Sequence, residues 1–368
     1  MTRIDVTPLF RPFELRSLRL HNRLVMAPMT RYFAEGGIPL PGVVDYYRRR
    51  AEGGVGLIVT EGVGIERPAS VNHPGVPVFH GEAALRRWQS VVDAVHTAGG
   101  AIAPQLWHVG SAPDISGAQM PNTPESPSAL FAPDRLFGES MTEEDVADVV
   151  AAFARGAQDA QRLGFDCIEF HGAHGYLIDQ FFWGVTNRRE DRYGGDLAGR
   201  IRFAAEFIRA VREAVGPELV LILRISQWKQ QDYDARNAGS PEALAAWLQP
   251  LADAGIDIFH CSQRSLWKPE FEGSPLNLAG WAKKLTGCPT ISVGSVGLSA
   301  EFLSDLRGTA TSEHAAIDDV LERLDREEFD LVAVGRALIA DPEWPNKIRD
   351  GRVSELLPFR REAMSTLF

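Results

Sequence analysis

Residues 165–176 read Phe165-Asp166-Cys167-Ile168-Glu169-Phe170-His171-Gly172-Ala173-His174-Gly175-Tyr176. A short apolar run here delivers two imidazoles and a phenol into one turn. Period-two alternation puts Cys167, Glu169 and His171 on one face and Ile168 and Phe170 on the other, as in a strand buried on both sides. His171 therefore falls at the carboxyl end of that strand, and Gly172 and Gly175 are expected to supply the tight turn that lets His174 and Tyr176 face the same space. Two hydrogen-bond donors beside a phenolic acid suit a carbonyl that has to be polarised and protonated. Histidines three apart also serve as metal ligands, but a metal site normally needs a third ligand, and no Cys/His/Asp cluster nearby has that spacing, so no metal is expected. A lone histidine is more often a satisfied core residue; two of them with a tyrosine, at a strand end, favour chemistry.

Similar runs recur along the chain. The strand-like ones are Asn22 to Met29, Val55 to Thr60, Ala101 to Leu106, Phe165 to Phe170, Leu219 to Ile225, Ile256 to Cys261, Thr290 to Val293 and Phe329 to Val334. Near-continuous apolar runs fit parallel strands covered on both faces. Between them lie patterns such as Leu85, Trp88, Val91, Val92 and Val95, or Val146, Val149, Val150, Phe153 and Ala157, each tracing one helical face. Thr142 followed by Glu143, Glu144 and Asp145 is a helix start by capping and dipole. Strands alternating with helices to a count of eight predict an α/β fold, a (β/α)8 TIM barrel, as a single domain over residues 1–368.

Two stretches break the rhythm. Ser111 to Ser140 is long, rich in Pro, Ser and Asn, and follows the third strand, where barrel loops line the active face. Arg307 to Ala315 is a polar segment ahead of the last strand, with no function assigned. Arg48-Arg49-Arg50 reads as a solvated helix end. Gly54-Val55-Gly56 precedes its strand instead of following it, which excludes a dinucleotide-binding fingerprint.

Composition narrows the function further. Hydrophobic residues make up 45% and charged residues 24%, with a net charge of -11, and no Lys/Arg-rich run offsets that charge, so nucleic-acid binding is disfavoured. Small-molecule chemistry is the better expectation. Met1-Thr2-Arg3-Ile4-Asp5 lacks an apolar signal core and no run is long enough to span a membrane, which points to the cytoplasm. Cys167, Cys261 and Cys288 read as reduced, buried thiols. Oligomeric state is left open, a homo-oligomer included.

In such barrels catalytic groups come from the carboxyl ends of the strands. Those ends here carry Pro28, Met29 and Thr30; Glu61 and Gly62; Gln105 and His108; His171, His174 and Tyr176; Arg224; Gly294 and Ser295; and Gly335 and Arg336. Arg224 shares a face with Val220 and Ile222 and so points into the barrel mouth, where it needs an anion, a carbonyl-rich partner or the balancing charge of Glu169. The last two strand ends are the expected phosphate site.

From about Leu9 to Arg352 the chain resembles the old yellow enzyme family of FMN-dependent ene-reductases. The motifs are Asn22-Arg23-Leu24-Val25-Met26-Ala27-Pro28-Met29-Thr30, Gln105-Leu106-Trp107-His108, His171-Gly172-Ala173-His174-Gly175-Tyr176-Leu177, Gln180-Phe181, Asn187-Arg188, Tyr193-Gly194-Gly195, Arg200, and Val334-Gly335-Arg336 with Asp341-Pro342. The resemblance implies a flavin ring against Pro28, Met29 and Thr30, its polar edge on Gly62, Gln105 and Arg224, and its phosphate at Gly294, Ser295, Gly335 and Arg336. It further implies that His171 and His174 hold the carbonyl oxygen of an activated alkene. Tyr176 then gives the proton, with NADH or NADPH as the source of hydride. Thr30 stands where one subgroup has a cysteine, while Tyr32 resembles the tyrosine which that subgroup points into its pocket. The loop Gln227-Trp228-Lys229-Gln230-Gln231-Asp232-Tyr233 after Arg224 is distinctive. A dehydrogenase or demethylase of an amine or related substrate, and a non-catalytic FMN-binding barrel, are the alternatives.

Overall fold

Alternation in the apolar runs sorts their side chains onto two surfaces, and the chain closes around one of them. The computed structural model describes residues 5–114, 117, 119–299 and 317–368. Its strands β1 (Leu24–Met26), β2 (Leu57–Gly64), β3 (Ala101–Trp107), β4 (Cys167–His174), β5 (Val220–Lys229), β6 (Ile258–Ser262), β7 (Thr290–Val293) and β8 (Leu331–Val334) form a closed parallel barrel in chain order, β8 pairing with β1. This is the (β/α)8 barrel expected from the sequence. Val25, Val59, Ala103, Cys167, Ile222, Ile258, Ile291 and Ala333 make one inner cluster, whereas Ile58, Ile102, Ile168, Phe170, Leu223 and Phe259 join the outer core under the helices.

That outer layer comprises α1 (Gly42–Glu52), α2 (Glu82–Thr97), α3 (Glu143–Arg162), α4 (Leu197–Val215), α5 (Pro241–Ala254), α6 (Leu278–Thr286), α7 (Asp318–Asp325) and α8 (Trp344–Asp350). On α3 the Thr142 hydroxyl accepts from the Asp145 N–H at 3.1 Å and Asp145 accepts from the Thr142 N–H at 2.9 Å, a capping box. Such a cap is worth about 1 kcal/mol. Burying one Val or Phe contributes about 1.5–3 kcal/mol, so Val146, Val149 and Phe153, all fully buried, hold the helix to the barrel while the cap fixes where it begins.

The amino end of the barrel is plugged. Phe13–Leu15 and Leu18–Leu20 form an antiparallel hairpin whose Phe13, Leu18 and Leu20 pack into the inner cluster. Below them buried Asp257 bonds Arg16 and Arg212. The carboxyl end is left as the open mouth.

Several local expectations need correction. β2, β4 and β5 each run four residues past their expected ends, because backbone pairing continues beyond the apolar stretch. Arg50 is not part of a solvated helix end. It lies at 0% exposure, donates to the carbonyls of Tyr46 (2.9 Å), Leu338 (3.1 Å) and Ile339 (3.3 Å) and stacks on Tyr46, because the helical rotation turns it inward while Arg48 stays outside with Asp45 and Glu52. Within Ser111 to Ser140, Glu125–Ser126 pairs with Glu139–Ser140 and Leu130–Ala132 with Arg135–Leu136. The Arg307 to Ala315 segment and the Met1 to Ile4 terminus lie outside the described residues. Among the described residues the three cysteines are free, with Cys288 only half-buried, and no helix is long and apolar enough to cross a membrane.

Candidate active site

The barrel mouth opens into a cavity of about 340 Å³. Its lining includes every residue singled out above for a cofactor or substrate: Pro28, Met29, Thr30, Tyr32, Gly62, Gln105, His171, His174, Tyr176, Arg224, Gly294, Ser295, Gly335 and Arg336. Two strand-end residues, His108 and Glu61, fall outside it. The His108 ring is consumed elsewhere, Nδ1 accepting from the Gly110 N–H at 3.0 Å and Nε2 bonding Glu125 at 2.9 Å. Glu61 also turns away, accepting from the Arg31 N–H at 3.0 Å, and burial pushes its carboxyl up to about 7.

Register explains how the histidine turn reaches the mouth. His171 stands opposite Arg224 and Gly172 opposite Ile225, but His174 pairs with Lys229, so β5 advances by four residues against two on β4 and the surplus bulges. His174 (φ 66°) and Gly175 (φ 81°) take the left-handed conformation. The turn thus rests on His174 and Gly175, not on Gly172. Glycine is needed at Gly172 for close packing: a Cβ there would lie 2.9 Å from the Arg224 carbonyl oxygen and 2.9 Å from Leu223. A left-handed non-glycine residue is strained by about 1–3 kcal/mol, and the His174 N–H is held by the Ser226 hydroxyl at 2.9 Å.

Three rings meet as a result. The His171 centroid is 5.1 Å from His174 and 4.9 Å from Tyr176, and Trp107 meets Tyr176 edge-on at 4.8 Å. His171 Nδ1 accepts from the Ala173 N–H at 3.4 Å, which leaves Nε2 to carry the proton. His174 stacks on Trp228 at 4.4 Å and its Nε2 bonds the Ser262 hydroxyl at 2.8 Å. Burial first, then the Arg224 charge, holds both imidazoles well below their usual titration range, so both are neutral hydrogen-bonding groups near pH 7. The Tyr176 phenol accepts from Gln230 Nε2 at 2.8 Å, and burial pushes it up to about 12. Tyr32 crosses the rim and donates to Asp114 at 2.9 Å.

The floor is polar in a defined way. Glu169, fully buried, accepts from Gln105 Nε2 at 2.8 Å and bonds His260 Nδ1 at 2.6 Å. It makes no direct bond to Arg224 and acts on that guanidinium through charge alone. Arg224 is buried, its Nη1 3.5 Å from the Pro28 carbonyl and its Nε without a partner among the described residues. Arg336 is also buried, and burial lowers its guanidinium to about 10. Two cations under a burial penalty in one cavity are a receptor for a ligand with anionic and carbonyl-rich parts. FMN, with a phosphate at one end and a pyrimidine edge at the other, fits that donor set.

Residues 8–355 match the NADH:flavin oxidoreductase / NADH oxidase family. The chain is 39% identical over 363 residues to 12-oxophytodienoate reductase 7 of Oryza sativa subsp. japonica, covering 93% of this chain and 88% of that one. The chain belongs to the old yellow enzyme family. It is an NAD(P)H-dependent flavin oxidoreductase with FMN as its cofactor. This old yellow enzyme homologue is also 33% identical over 359 residues to an NADH oxidase of Thermoanaerobacter brockii, matching 95% of its own length but only 52% of that longer protein. Morphinone reductase in complex with tetrahydroNAD superposes with a TM-score of 0.78 at 28% identity, over 97% of this chain and 93% of that one.

Sequence reasoning missed His260, Ser262, Asp114 and Met364. Of these four, Met364, Asp114 and Ser262 line the cavity, and each arrives from a segment with no motif of its own. Gln230 and Trp228 fall in the loop noted as distinctive, without a role attached to either.

Proposed function

We propose that the chain reduces activated alkenes (enones, enals or nitroalkenes), with His171 and His174 as the oxygen-binding pair and Tyr176 as the proton donor. The observation that carries this is the meeting of two neutral imidazoles and a protonated phenol on one wall of the cavity. FMN, once bound, would supply the two-electron chemistry that links NADH or NADPH to the β-carbon of the alkene. Gln105 is suited to the cofactor's pyrimidine edge, because Glu169 occupies its amide N–H and leaves its carbonyl oxygen for another donor. Arg224 is suited to the negative charge that builds there on reduction. Pro28, Met29, Thr30 and Gly62 border the ring's place, and Gly294, Ser295, Gly335 and Arg336 that of the phosphate, which the short helix Arg336–Ala340 follows directly.

On the substrate side, neutral N–H donors polarise a carbonyl or nitro oxygen and draw electrons from the alkene, so the β-carbon accepts hydride. The α-carbon then takes the Tyr176 proton. Tyr32 closes the substrate space at the rim. A protonated phenol beside two neutral imidazoles favours alkene reduction over amine oxidation, because reduction consumes a proton.

Phenols test the wall directly, since a phenolate oxygen mimics the enolate oxygen between the two donors. Titrating the flavin absorbance of the purified protein with a substituted phenol should give saturable binding, weakened at least tenfold in His171→Ala and in His174→Ala with FMN retained. Wild-type phenol affinity in both variants would remove the pair from this role.

A further inference from the structure

The loop that departs from the family pattern places one side chain on the reacting phenol. Gln230 Nε2 donates to Tyr176 Oη at 2.8 Å, and Gln230 also lines the cavity. A hydroxyl has one proton and two acceptor lone pairs. With an amide N–H on its oxygen, the phenol has to send its own proton in another direction. Trp107 and His171 pack on the ring, with centroids at 4.8 Å and 4.9 Å, and Tyr176 lines the cavity, the space that proton can enter.

Gln230 is itself fixed. Its backbone N–H donates to the His174 carbonyl at 3.3 Å. The neighbouring Lys229 is fully buried and bonds Asp179 at 2.7 Å, while the other carboxylate oxygen of Asp179 accepts from the Gly175 N–H at 2.8 Å. One buried ion pair thus ties the bulged end of β5 to the histidine turn of β4, and Gln230 and Tyr176 leave that tie on adjacent strands.

We propose that Gln230 is a positioning residue for the proton donor: its amide aims the Tyr176 proton into the cavity and stabilises the phenolate left behind. This rests on Tyr176 giving the proton. In that step the Tyr176 O–H bond breaks, its electron pair stays on oxygen, and a C–H bond forms at the α-carbon after hydride, drawn from NAD(P)H, has reached the β-carbon. Solvent then reprotonates the phenolate. The Gln230 bond acts against burial, lowering the phenol. The other groups facing the phenol are the Asp114 carboxylate, which raises it, the Arg224 guanidinium, which lowers it, the Tyr32 phenol and the neutral His171 ring.

Gln230→Glu reverses the bond's polarity with little change in shape. The carboxylate accepts the phenolic proton and turns it from the cavity, so flavin reoxidation by 2-cyclohexenone should slow by roughly a hundredfold or more near neutral pH. As pH falls through the carboxyl's titration the neutral acid donates again, and the rate should recover, whereas the wild-type rate stays flat. Gln230→Leu, which only removes the donor, should slow reoxidation roughly ten- to a hundredfold. In a Tyr176→Phe background neither change should slow it further, an epistasis that a structural role for Gln230 does not produce. FMN content and reduction by NAD(P)H are measured on every variant. A Gln230→Glu rate equal to wild type, or equal slowing with and without the phenol, overturns the proposal. Should Tyr176→Phe alone leave reoxidation unchanged, the proton-donor reading falls first and this inference with it.

Discussion

Replacing Tyr176 with Phe deletes one oxygen and one proton and leaves the ring wedged edge-on against Trp107 and His171. The Gln230 amide loses its acceptor, which costs about 1–3 kcal/mol if the amide stays unsatisfied, a tolerable loss for a domain of this size. The catalytic loss is larger. Burial holds the phenol up to about 12, so in wild type it carries its proton across the ordinary working range. A positioned acid contributes about 10²- to 10⁴-fold, or about 2.7–5.4 kcal/mol of barrier. Stopped-flow absorbance separates the half-reactions: FMN reduction by NAD(P)H needs no acid and should change less than about twofold, while reoxidation by cyclohexenone should slow by some part of that range. Equal slowing of both half-reactions would show a disturbed cavity instead of a lost proton. Unchanged reoxidation would remove Tyr176 from the donor role.

Arg336→Ala removes a buried cation from the suggested phosphate site, and a charge-assisted bond is worth about 1.5–3 kcal/mol. FMN dissociation, followed by the return of free-flavin fluorescence, should therefore show roughly ten- to a hundredfold weaker retention. Lys229→Met strands the fully buried Asp179 carboxylate, so denaturant titration should report a loss of about 3–5 kcal/mol. Stability should also fall with acid. His171 and His174 are held neutral in the fold by burial, whereas in the unfolded chain they take up protons near the ordinary histidine value of 6.5. The unfolded state then binds more protons, so unfolding becomes easier as the pH drops through about 6.5, and replacing both residues with Gln should reduce that dependence in thermal melts, with buried His108 and His260 keeping the remainder.

How legible these features were in sequence depended on how local their causes are. Alternation in Cys167, Glu169 and His171 is a property of a strand and its two covered faces, so the inward set and the barrel followed from it. Arg224 was placed inward by the same reasoning. The bulge that carries β5 four residues past two of β4 has no such local mark, so of the two expected turn glycines Gly175 takes the left-handed conformation, with His174 as its partner, and Gly172 does not. Arg50 shows the limit of reading charge runs as solvated faces, since an arginine buries where carbonyls and a tyrosine ring receive it. Contacts such as His174 with Ser262, 88 residues apart, or the Met364 carbonyl with Arg31, 333 residues apart, exist only once the barrel has closed.

The most direct test is a single turnover under anaerobic conditions. The purified flavoprotein is reduced with one equivalent of NADPH or NADH, cyclohexenone is added, and oxidised-flavin absorbance and product are followed together. Return of the absorbance with formation of an equal amount of cyclohexanone is the expected result. Flavin that stays reduced until oxygen is admitted, with the enone recovered intact, would contradict an alkene reductase.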